Sequence, residues 1–567
     1  MNSSKLWQIK NSNPQRQVIL SNALRIHPII AQLLINRGVE EIEDARQFLH
    51  GDLSQAHDPF HFKGMDRAVA RIQKAQERRE RILVYGDYDV DGVTSSALLY
   101  KKLTQMGLEV ISHIPHRVDD GYGLNEKTAG FAEEKKVNLV ISVDCGISAY
   151  REVELLNERG IDVIIIDHHE PADGNLPKAY AIINPKQKDC PYPFKHLASV
   201  GLVAKLIQAL CGKMQEDILD MVALGTIADI VPLRGENRIF VKWGLPRIHQ
   251  TKNLGLAALL EVAKIKGKKI NPYSVGFILG PRINATGRMD SAHRSLNLFL
   301  SEDDQEACRL AQTLEELNIQ RQKVQKGMVE EAMAIVESEV NFKDHKVIVL
   351  SKEGWHKGVL GIVASKITEK FYRPTIVISL KDGMGTASAR SIDGFHLYEA
   401  LHRCREWLEN YGGHGGAAGL TIRKENIDPF KNLINQIAGE LIQSEQLIPG
   451  LSIDCEIPLS SVSMDLMAMI DSMQPFGEGN PEPLFCSRRL TVKGTPLVLG
   501  KDTLKFWVTD GKTTLSAVGF GMAQYRDDLK SGAEVDLAYE VSVDDWNKAP
   551  TVQLKIKDIR PLQFPRP

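Results

Sequence analysis

Short apolar runs alternate with amphipathic helical stretches between about residues 80 and 230. The apolar runs lie at 82–85, 139–143, 163–166 and 181–184. This alternation is typical of βαβ units and predicts a parallel sheet. Each of the first three runs stops at an acidic or histidine cluster, and open α/β sheets bind ligands at the carboxyl ends of their strands. We therefore expect these clusters to converge.

Residues 200 to 300 are predicted to be mainly helical, with the stretch GPRINATG at 280–287 forming a loop because of its glycines and proline. Between about 302 and 340, apolar residues recur at three- and four-residue steps, which predicts one long helix. These residues are Leu310, Leu314, Leu317, Val324, Met328 and Ile335. Arg321 and Glu331 interrupt the apolar seam, so a helix bridging two domains is favoured over a dimeric coiled coil.

A second α/β unit is predicted after the long helix. Its strands are expected at 347–350 and 375–379, its helix at 358–369, and its glycine-rich segments at 383–390 and 412–419. From about residue 450 the helical pattern fades, and five short alternating runs follow at 490–492, 504–508, 515–519, 535–541 and 551–556. Five short strands predict a small barrel of the OB type.

The chain has 567 residues, more than a single hydrophobic core usually serves, so we expect an α/β multidomain protein. The expected division is an N-terminal segment at 1–70 that packs on the catalytic domain, a parallel-sheet catalytic domain at 71–300 and a bridging helix at 301–340. A second α/β domain at 341–447 and a barrel at 448–567 complete it.

The composition indicates a cellular compartment more clearly than it indicates a reaction. The seven cysteines are scattered without a CxxC pair, which favours a reducing compartment over a disulfide framework. No apolar leader or membrane-length apolar run is present, so we expect a cytoplasmic protein without a membrane partner. A net charge of −2 neither requires nor excludes nucleic acid, because phosphate binding depends on local basic surfaces.

The segment GDYDVDG at 86–92 places Asp87, Asp89 and Asp91 at two-residue spacing after a strand. Hard cations such as Mg²⁺ and Mn²⁺ take oxygen ligands of this kind. A calcium loop of the EF-hand type would need a glutamate where Leu98 stands, so calcium fits less well. A solvated acidic turn remains the alternative.

Three further clusters carry candidate ligands. Asp144 follows the second apolar run, although an aspartate at a strand end is often only a cap or turn former. Asp167, His168 and His169 follow the third run and offer imidazole ligands as well as a proton donor or acceptor. Asp229 ends a small apolar stretch, where a buried charge is costly unless a partner such as a metal is present.

The four clusters together resemble the DHH phosphoesterase superfamily, named for the triplet seen here at 167–169. In that superfamily four motifs assemble a two-metal site. Other segments resemble the RecJ family of single-stranded-DNA-specific exonucleases, and that family implies a DHH catalytic domain, a DHH-associated domain and an OB fold in this order. These segments are IPHRVDDGYGLN (114–125), GPRINATGRMD (280–290), GWHKGVLGIVASK (354–366), GTASARS (385–391), GGHGGAAG (412–419) and PFGEGNPEP (475–483).

The resemblance implies two divalent ions, Mg²⁺ or Mn²⁺. The implied direct ligands are Asp89, Asp91, Asp144, His168 and Asp229, with Asp87 a further ligand or an indirect partner. Asp167 is expected to orient its neighbouring histidine, and His169 to bond the phosphate or the leaving oxygen. Which histidine has which role stays open.

The resemblance also implies DNA contacts. It places Arg117, Ser388 and Arg390 where the terminal 5′ phosphate of a strand binds, although Arg117 taken alone would be an ordinary surface arginine. Tyr122 is a candidate for stacking on a base, and Arg282 for contacting the strand. His414 lies among glycines that either approach phosphate or form a structural turn. Whether Trp507, Phe520 and Trp546 stack on bases or fill the barrel core is left open.

The resemblance implies a 5′ to 3′ exonuclease that degrades single-stranded DNA to 5′-mononucleotides in recombination and DNA repair. A DHH phosphodiesterase of cyclic dinucleotides or short RNA is one alternative, but such enzymes need no added barrel. A non-catalytic DNA-binding scaffold is the other, and lost ligands would mark it. Expected partners are single-stranded DNA, a single-strand-binding protein and a helicase, with the chain itself a monomer.

Overall fold

The computed structural model describes residues 5–117, 120–171, 175–544 and 550–562. The chain divides into two compact units. One contains Met1–Gln55, Pro232–Arg238 and Ile448–Pro567, and we call it the barrel unit. The other contains Ala56–Val231 and Ile239–Leu447, and we call it the catalytic unit.

Helices and strands occur throughout both units. The α-helices are α1 (Pro14–Leu24), α2 (Pro28–Asn36), α3 (Ile42–His50), α4 (Met65–Arg78), α5 (Val90–Gln105), α6 (Glu126–Glu134), α7 (Tyr150–Glu158), α8 (Ser199–Cys211), α9 (Leu219–Ala228), α10 (Gly235–Ile248), α11 (Leu254–Val262), α12 (Gly280–Met289), α13 (His293–Leu300), α14 (Asp304–Glu339), α15 (Leu360–Phe371), α16 (Leu397–Arg403), α17 (Ile427–Leu441) and α18 (Met464–Asp471). The strands are β1 (Leu6–Ile9), β2 (Arg81–Gly86), β3 (Glu109–His113), β4 (Leu139–Val143), β5 (Asp162–Ile166), β6 (Ala181–Ile183), β7 (Ile348–Glu353), β8 (Thr375–Lys381), β9 (Met384–Arg390), β10 (Asn410–Gly413), β11 (Ala417–Arg423), β12 (Gly450–Ile453), β13 (Cys455–Glu456), β14 (Phe485–Leu499), β15 (Thr503–Thr509), β16 (Thr514–Gly519), β17 (Glu534–Asp544) and β18 (Thr551–Pro561).

The first sheet of the catalytic unit has five parallel strands in the order β3-β2-β4-β5-β6. Strand β4 is buried along its whole length, which explains its uninterrupted apolar sequence. Helix α5 packs against β2 and β3 and also contacts α8 and α9. The parallel sheet predicted from the alternating runs is confirmed.

The second sheet of the catalytic unit has the order β10-β11-β9-β8-β7. Strands β7 and β8 are parallel, and the other neighbours are antiparallel. The glycine-rich segments at 383–390 and 412–419 supply β9 and most of the β10–β11 hairpin. Helix α14 is 36 residues long, as predicted, and packs against α11, α12 and α13 as well as α15 and β7.

The stretch GPRINATG is not the loop that its glycines and proline predict. It forms most of α12, which follows a π-helical turn at Ser274–Leu279. Pro281 lies in the first turn of α12, where a missing N–H costs nothing. A Cβ on Gly287 would come 3.0 Å from the carbonyl oxygen of Tyr88, so this glycine permits close packing rather than a turn.

In the barrel unit, strands β14 to β18 form a closed barrel of the predicted OB type. Strand β14 pairs with β15 on one side and with β17 on the other, which closes the sheet. Strands β16 and β18 pair in parallel, and β17 and β18 pair antiparallel. The barrel interior is filled by apolar side chains such as Phe485, Phe506 and Tyr539.

The aromatic residues singled out in the barrel sequence do not fill its core where the structure describes them. Trp507 and Phe520 are both exposed, so neither serves as core packing. Trp546 lies outside the described residues. Of the two alternatives, core packing is thus excluded for Trp507 and Phe520, and nothing tests their stacking on bases.

The N-terminal segment differs from its expected place on the catalytic domain, since residues 1–55 belong to the barrel unit. Leu20, Ile30 and Leu34 of α1 and α2 share one hydrophobic core with α18 and the barrel. Strand β1 also pairs in parallel with β12. The apolar faces of these helices are visible in the sequence, but the surface that covers them is not.

Arg37 ties this segment to the PFGEGNPEP stretch within the barrel unit. Its guanidinium is buried and donates to Asn480 Oδ1 at 2.7 Å and to the carbonyl oxygens of Pro481 at 2.6 Å and Leu33 at 2.8 Å. Asp454 lies 3.6 Å away as its counter-charge. A buried guanidinium is tolerated here because its donors are satisfied.

Among the described residues, no single helix is both long and apolar enough to cross a membrane. Helices α1 and α2 reach that length and hydropathy only when taken together, and the pair is bent by 116°. All seven cysteines are free thiols.

Two helical glycines should respond to substitution with opposite signs. A Cβ on Gly255 would lie 2.0 Å from the Leu298 carbonyl oxygen, so Gly255→Ala should destabilise the protein by roughly 1–3 kcal/mol through overpacking. Gly130 in α6 has no atom within 4 Å of such a Cβ, so Gly130→Ala should stabilise it by roughly 0.5–1 kcal/mol. Urea unfolding followed by circular dichroism measures both changes, and equal signs would contradict the packing described.

Candidate metal centre and anion site

Three aspartates lie at one edge of the first sheet. The last residues of β2, β4 and β5 are paired directly across the sheet, and each is followed by an aspartate. These residues are Asp87, Asp144 and Asp167, and all three are no more than 2% exposed. Asp144 has a positive φ of 63°, a left-handed conformation that aspartate tolerates better than most residues.

The start of α5 contributes two more carboxylates. Asp89 caps the helix, since its Oδ1 accepts the N–H of Gly92 at 3.1 Å. The buried carboxylate of Asp91 accepts the N–H groups of Ser199 at 2.7 Å and Val200 at 2.8 Å. These two N–H groups begin α8, so that helix end holds the Asp91 carboxylate in place.

His168 joins this edge to the end of α9. Its Nε2 lies 3.3 Å from Asp144 Oδ1 and 3.5 Å from Asp229 Oδ2. Asp229 directly follows α9 as its C-cap. The candidate ligand atoms fall into overlapping groups, namely Asp87 with Asp89 and Asp144, Asp91 with His168 and Asp229, and Asp144 with His168 and His169.

These residues fit divalent cations. Asp87 Oδ1, Asp144 Oδ1, Asp229 Oδ2 and His168 Nε2 are all buried and accept no hydrogen bond. Burial and the neighbouring carboxylates raise the pKa of Asp144 and of Asp229 well above its ordinary value. Burial lowers the pKa of His168 to about 3, which keeps it neutral. Crowded carboxylates and a neutral imidazole are a donor set that Mg²⁺ or Mn²⁺ would complete.

Asp167 has a different role, because its oxygens are already occupied. It accepts the backbone N–H groups of Ile147 and His169, both at 3.0 Å, and lies 2.7 Å from His169 Nδ1. Burial acts to raise the pKa of Asp167, but the hydrogen bonds from His169 lower it to about 2. Burial acts to lower the pKa of His169, and Asp167 raises it above its ordinary value. The histidine that Asp167 orients is therefore His169.

Tyr122 also reaches this centre. Its hydroxyl donates to the carbonyl oxygen of Asp144 at 2.8 Å and lies 3.2 Å from His169 Nδ1. The side chain remains 52% exposed, so the ring that was expected to stack on a base is accessible.

The charges of four arginines act on one another, and one of the four also acts on Asp87; we call them the arginine cluster. They are Arg117, Arg288, Arg321 and Arg390. The guanidinium of Arg117 lies 4.6 Å from the ring centre of Tyr88. Burial raises the pKa of Asp87, and the charge of Arg117 acts to lower it. Burial lowers the pKa of Arg288, and the charges of the other three add to this effect, so that it falls to about 9. Within the described part of the chain, none of the four has an acidic partner within 4 Å.

Ser388 and Arg390 lie together on β9. Arg390 donates to Ser388 Oγ at 3.2 Å and to the Ala389 carbonyl oxygen at 2.8 Å. The N-terminal turn of α15 approaches both, since a Cβ on Gly361 would lie 2.8 Å from the Arg390 guanidinium and 3.0 Å from Ser388 Oγ. A helix N-terminus beside an arginine and a hydroxyl is suited to an anion.

Two predicted residues have other surroundings. Arg282 forms an ion pair with Glu315 of α14 at 2.5 Å and donates to the Ile278 carbonyl oxygen at 2.7 Å. His414 lies at the exposed tip of the β10–β11 hairpin, where its Nδ1 accepts the N–H of Gly416 at 3.2 Å. The structure does not bring either residue into the metal centre.

Sequence reasoning missed Arg288 and Arg321. Arg321 is buried in the apolar seam of α14, where it donates to Gln325 at 2.6 Å and Asn318 at 2.5 Å. An arginine that interrupts such a seam is the signal that could have identified it. Lys186 was also missed, and its charge acts to lower the pKa of Asp229.

Comparisons with known proteins agree with this arrangement. Family models match for the DHH family N-terminal domain at 81–226, the DHHA1 domain at 344–440 and the RecJ OB domain at 453–558. The single-stranded-DNA-specific exonuclease RecJ of Haemophilus influenzae is 34% identical over 97% of this chain and 99% of its own length. The chain belongs to the RecJ family. RecJ of Bacillus subtilis is 39% identical over 98% of this chain and 71% of its own length.

Solved structures extend the RecJ-family match to three dimensions. The crystal structure of RecJ from Thermus thermophilus in complex with Mn²⁺ matches this chain with a TM-score of 0.86 and 29% identity. The match covers 100% of this chain and 81% of the Thermus thermophilus chain. A second RecJ structure, bound to manganese, covers 68% of this chain and 96% of that chain, with a TM-score of 0.60 and 34% identity. The expected order of DHH, DHH-associated and OB domains is thus the RecJ-family order.

Removing one crowded carboxylate should have opposite effects on the metal-free and metal-loaded protein. Because the folded-state pKa of Asp144 is raised, its charge destabilises the metal-free fold at neutral pH. We expect Asp144→Asn to raise the melting temperature without metal by a few degrees and to abolish most of the increase that Mn²⁺ produces. Asp189→Asn, at an exposed carboxylate, is the matched control. A variant that melts lower without metal and keeps the full Mn²⁺ effect would contradict the assignment.

Proposed function

We propose that this protein is an exonuclease that degrades single-stranded DNA from the 5′ end to 5′-mononucleotides, with two divalent ions, Mg²⁺ or Mn²⁺. Its RecJ-family relatives are named as single-stranded-DNA-specific exonucleases. The observation that carries the proposal is a buried carboxylate and imidazole centre beside arginines without acidic partners among the described residues. Hydrolysis of a phosphodiester at a strand end uses a metal centre for the reaction and an anion site to bind the terminal phosphate.

The two ions would be held by two of the three overlapping ligand groups. Asp87, Asp89 and Asp144 would hold one, and Asp91, His168 and Asp229 the other. When bound, the ions supply Lewis-acid stabilisation of the phosphate charge and a lowered pKa for the attacking water. The hydrogen bonds from the start of α8 restrict the carboxylate of Asp91, which favours a fixed ligand position.

His169 would contact the substrate phosphate. Asp167 fixes its Nδ1 and raises its pKa, so the imidazolium form is favoured and Nε2 is left to donate. We assign Nε2 to a phosphate oxygen or to the leaving O3′, where a donated proton assists departure. The Tyr122 hydroxyl restricts the same ring and the backbone of Asp144.

Polarity would arise from recognition of the terminal 5′ phosphate. Ser388, Arg390 and the N-terminal turn of α15 offer hydroxyl, guanidinium and backbone N–H donors at one place. The charges of Arg117 and Arg288 act at the same place. Only the 5′ end of the expected substrate carries a terminal phosphate, so binding it there would set the direction of digestion.

The two alternatives are less favoured. A phosphodiesterase of cyclic dinucleotides or short RNA would not need the barrel, which a RecJ OB model matches at 453–558. A non-catalytic scaffold would be expected to have lost ligands, whereas all six proposed ligands are present. Family membership supports a role in recombination and repair, a cytoplasmic location, a monomeric state, and a single-strand-binding protein and a helicase as partners.

Digestion of labelled strands tests the chemistry. With Mn²⁺ present, the wild type should release 5′-mononucleotides from a 5′-phosphorylated single strand and far less from blunt duplex. Asp89→Ala should lower the rate at least about 100-fold, because a ligand of one ion is lost. Asp189→Ala, at an exposed carboxylate, should retain the wild-type rate. Equal inactivity of the wild type and Asp89→Ala would reject the proposal.

The 5′-phosphate site has its own test. Arg390→Gln should reduce the preference for 5′-phosphorylated over 5′-hydroxyl strands by about tenfold or more, since a charge-assisted bond is worth about 1.5–3 kcal/mol. Arg403→Gln, at a partly exposed arginine on α16, is the control. The measured quantity is the ratio of kcat/KM for the two strands. An unchanged ratio in Arg390→Gln would place the terminal phosphate elsewhere.

A further inference from the structure

A pair of aromatic side chains stands exposed on the catalytic unit, and we call it the aromatic pair. Tyr273 and Phe277 stack with ring centroids 4.8 Å apart and an interplanar angle of 20°. Tyr273 is 63% exposed and Phe277 is 70% exposed. Large apolar side chains left this open are candidates for contact with another molecule. Phe277 lies on the π-helical turn that precedes α12, and such turns are frequent at functional sites.

The turn that carries Phe277 packs on the helix that precedes a proposed metal ligand. This turn contacts α9, and Asp229 directly follows α9 as its C-cap. A Cβ on Gly280, at the end of the turn, would lie 3.7 Å from the Cβ of Ala228. Ile230, which follows Asp229, is a further large apolar side chain that is 70% exposed. The charge of Arg117, in contrast, acts on Asp87, which belongs to a different ligand group from Asp229.

A basic loop at 264–269 precedes the aromatic pair, and we call it the lysine loop. Its four lysines, Lys264, Lys266, Lys268 and Lys269, are all exposed. Lys266 forms an ion pair with Glu261 at 3.1 Å. The other three have no acidic partner within 4 Å among the residues that the structure describes. Cations next to exposed aromatic rings are the combination that binds a single nucleic-acid strand, through phosphates and stacked bases respectively.

We propose that the aromatic pair and the lysine loop bind unpaired nucleotides on the 3′ side of the scissile phosphate. The inference rests on the proposed function and adds a second contact region to it. The arginine cluster takes the terminal phosphate, and the strand continues past Asp229 onto the aromatic pair. Stacking makes no distinction between bases, so the contact tolerates any sequence. Duplex DNA presents no open base faces along its length and is the poorer occupant.

Binding without turnover tests this surface in the full-length protein. Single strands labelled at the 3′ end, a tetranucleotide and a strand of about 20 nucleotides, are titrated in Ca²⁺ by fluorescence anisotropy. For the double variant Tyr273→Ala/Phe277→Ala, we expect the Kd of the long strand to rise about tenfold or more. The factor by which the Kd of the tetranucleotide rises should be smaller by about fivefold or more, because the short strand does not reach the aromatic pair. Tyr273→Phe/Phe277→Tyr should restore tight binding, because both rings are retained.

The lysine loop has a separate readout. Replacing Lys264, Lys268 and Lys269 by glutamine should flatten the slope of log Kd against log salt by about 2, since each phosphate contact contributes about 0.7.

Phe60→Ala, at an aromatic residue that is 53% exposed, is the matched control for the aromatic pair.

The proposal is overturned if the double variant binds the long strand as tightly as Phe60→Ala does, or if both strands weaken by the same factor. Because the assay measures binding alone, its outcome is distinct from failure of the nuclease reaction. A wild type that releases no nucleotide in Mn²⁺ would reject the proposed function, while loss of long-strand binding in the double variant would still support this surface.

Discussion

Buried carboxylates repel one another, and the first sheet forces several of them together. Three parallel strands end in register, and an aspartate follows each end. Neighbouring charges raise the pKa of Asp144 and Asp229 on top of the effect of burial, so the centre is stable as an array of charges only with added cations. Much of the surrounding structure restrains this array. Backbone N–H groups at the start of α8 hold Asp91, and His169 pairs with Asp167.

The arginine cluster has an excess of positive charge, which is the opposite of the excess negative charge of the carboxylates. Its members are held by neutral partners, such as the carbonyl oxygen of Gly358 for Arg288 and two side-chain amides for Arg321. Uncompensated positive charge thus lies next to uncompensated negative charge, yet direct ion pairs between the two sets do not form among the described residues. A phosphate and divalent cations would satisfy both sets at once, and the proposed binding of a terminal phosphate depends on this complementarity.

The sequence predicted the regular elements well where burial repeats along the chain. Strand β4 is buried throughout and α14 has a long apolar seam, so both leave clear patterns. Predictions failed where a residue serves a distant contact. The glycine at 287 accommodates the Tyr88 backbone rather than a loop, and the apolar faces of α1 and α2 do not specify their partner. The carboxylates were singled out because each cluster directly follows a local apolar run, as Asp144 follows 139–143. Arg321 was noticed as an interruption, but its meaning depends on three other arginines that are distant in sequence.

The left-handed backbone at Asp144 restricts which residues can replace it. A φ of 63° is accessible to glycine, asparagine and aspartate at low cost, whereas β-branched side chains are strained there. Natural descendants that abandon hydrolysis but keep the fold are therefore expected to drift to asparagine or glycine at this position. Such a replacement in a related chain would be a sequence mark of lost chemistry with an intact sheet. The backbone angle thus limits the substitutions at Asp144 to a few residues, whereas side-chain chemistry alone would permit many.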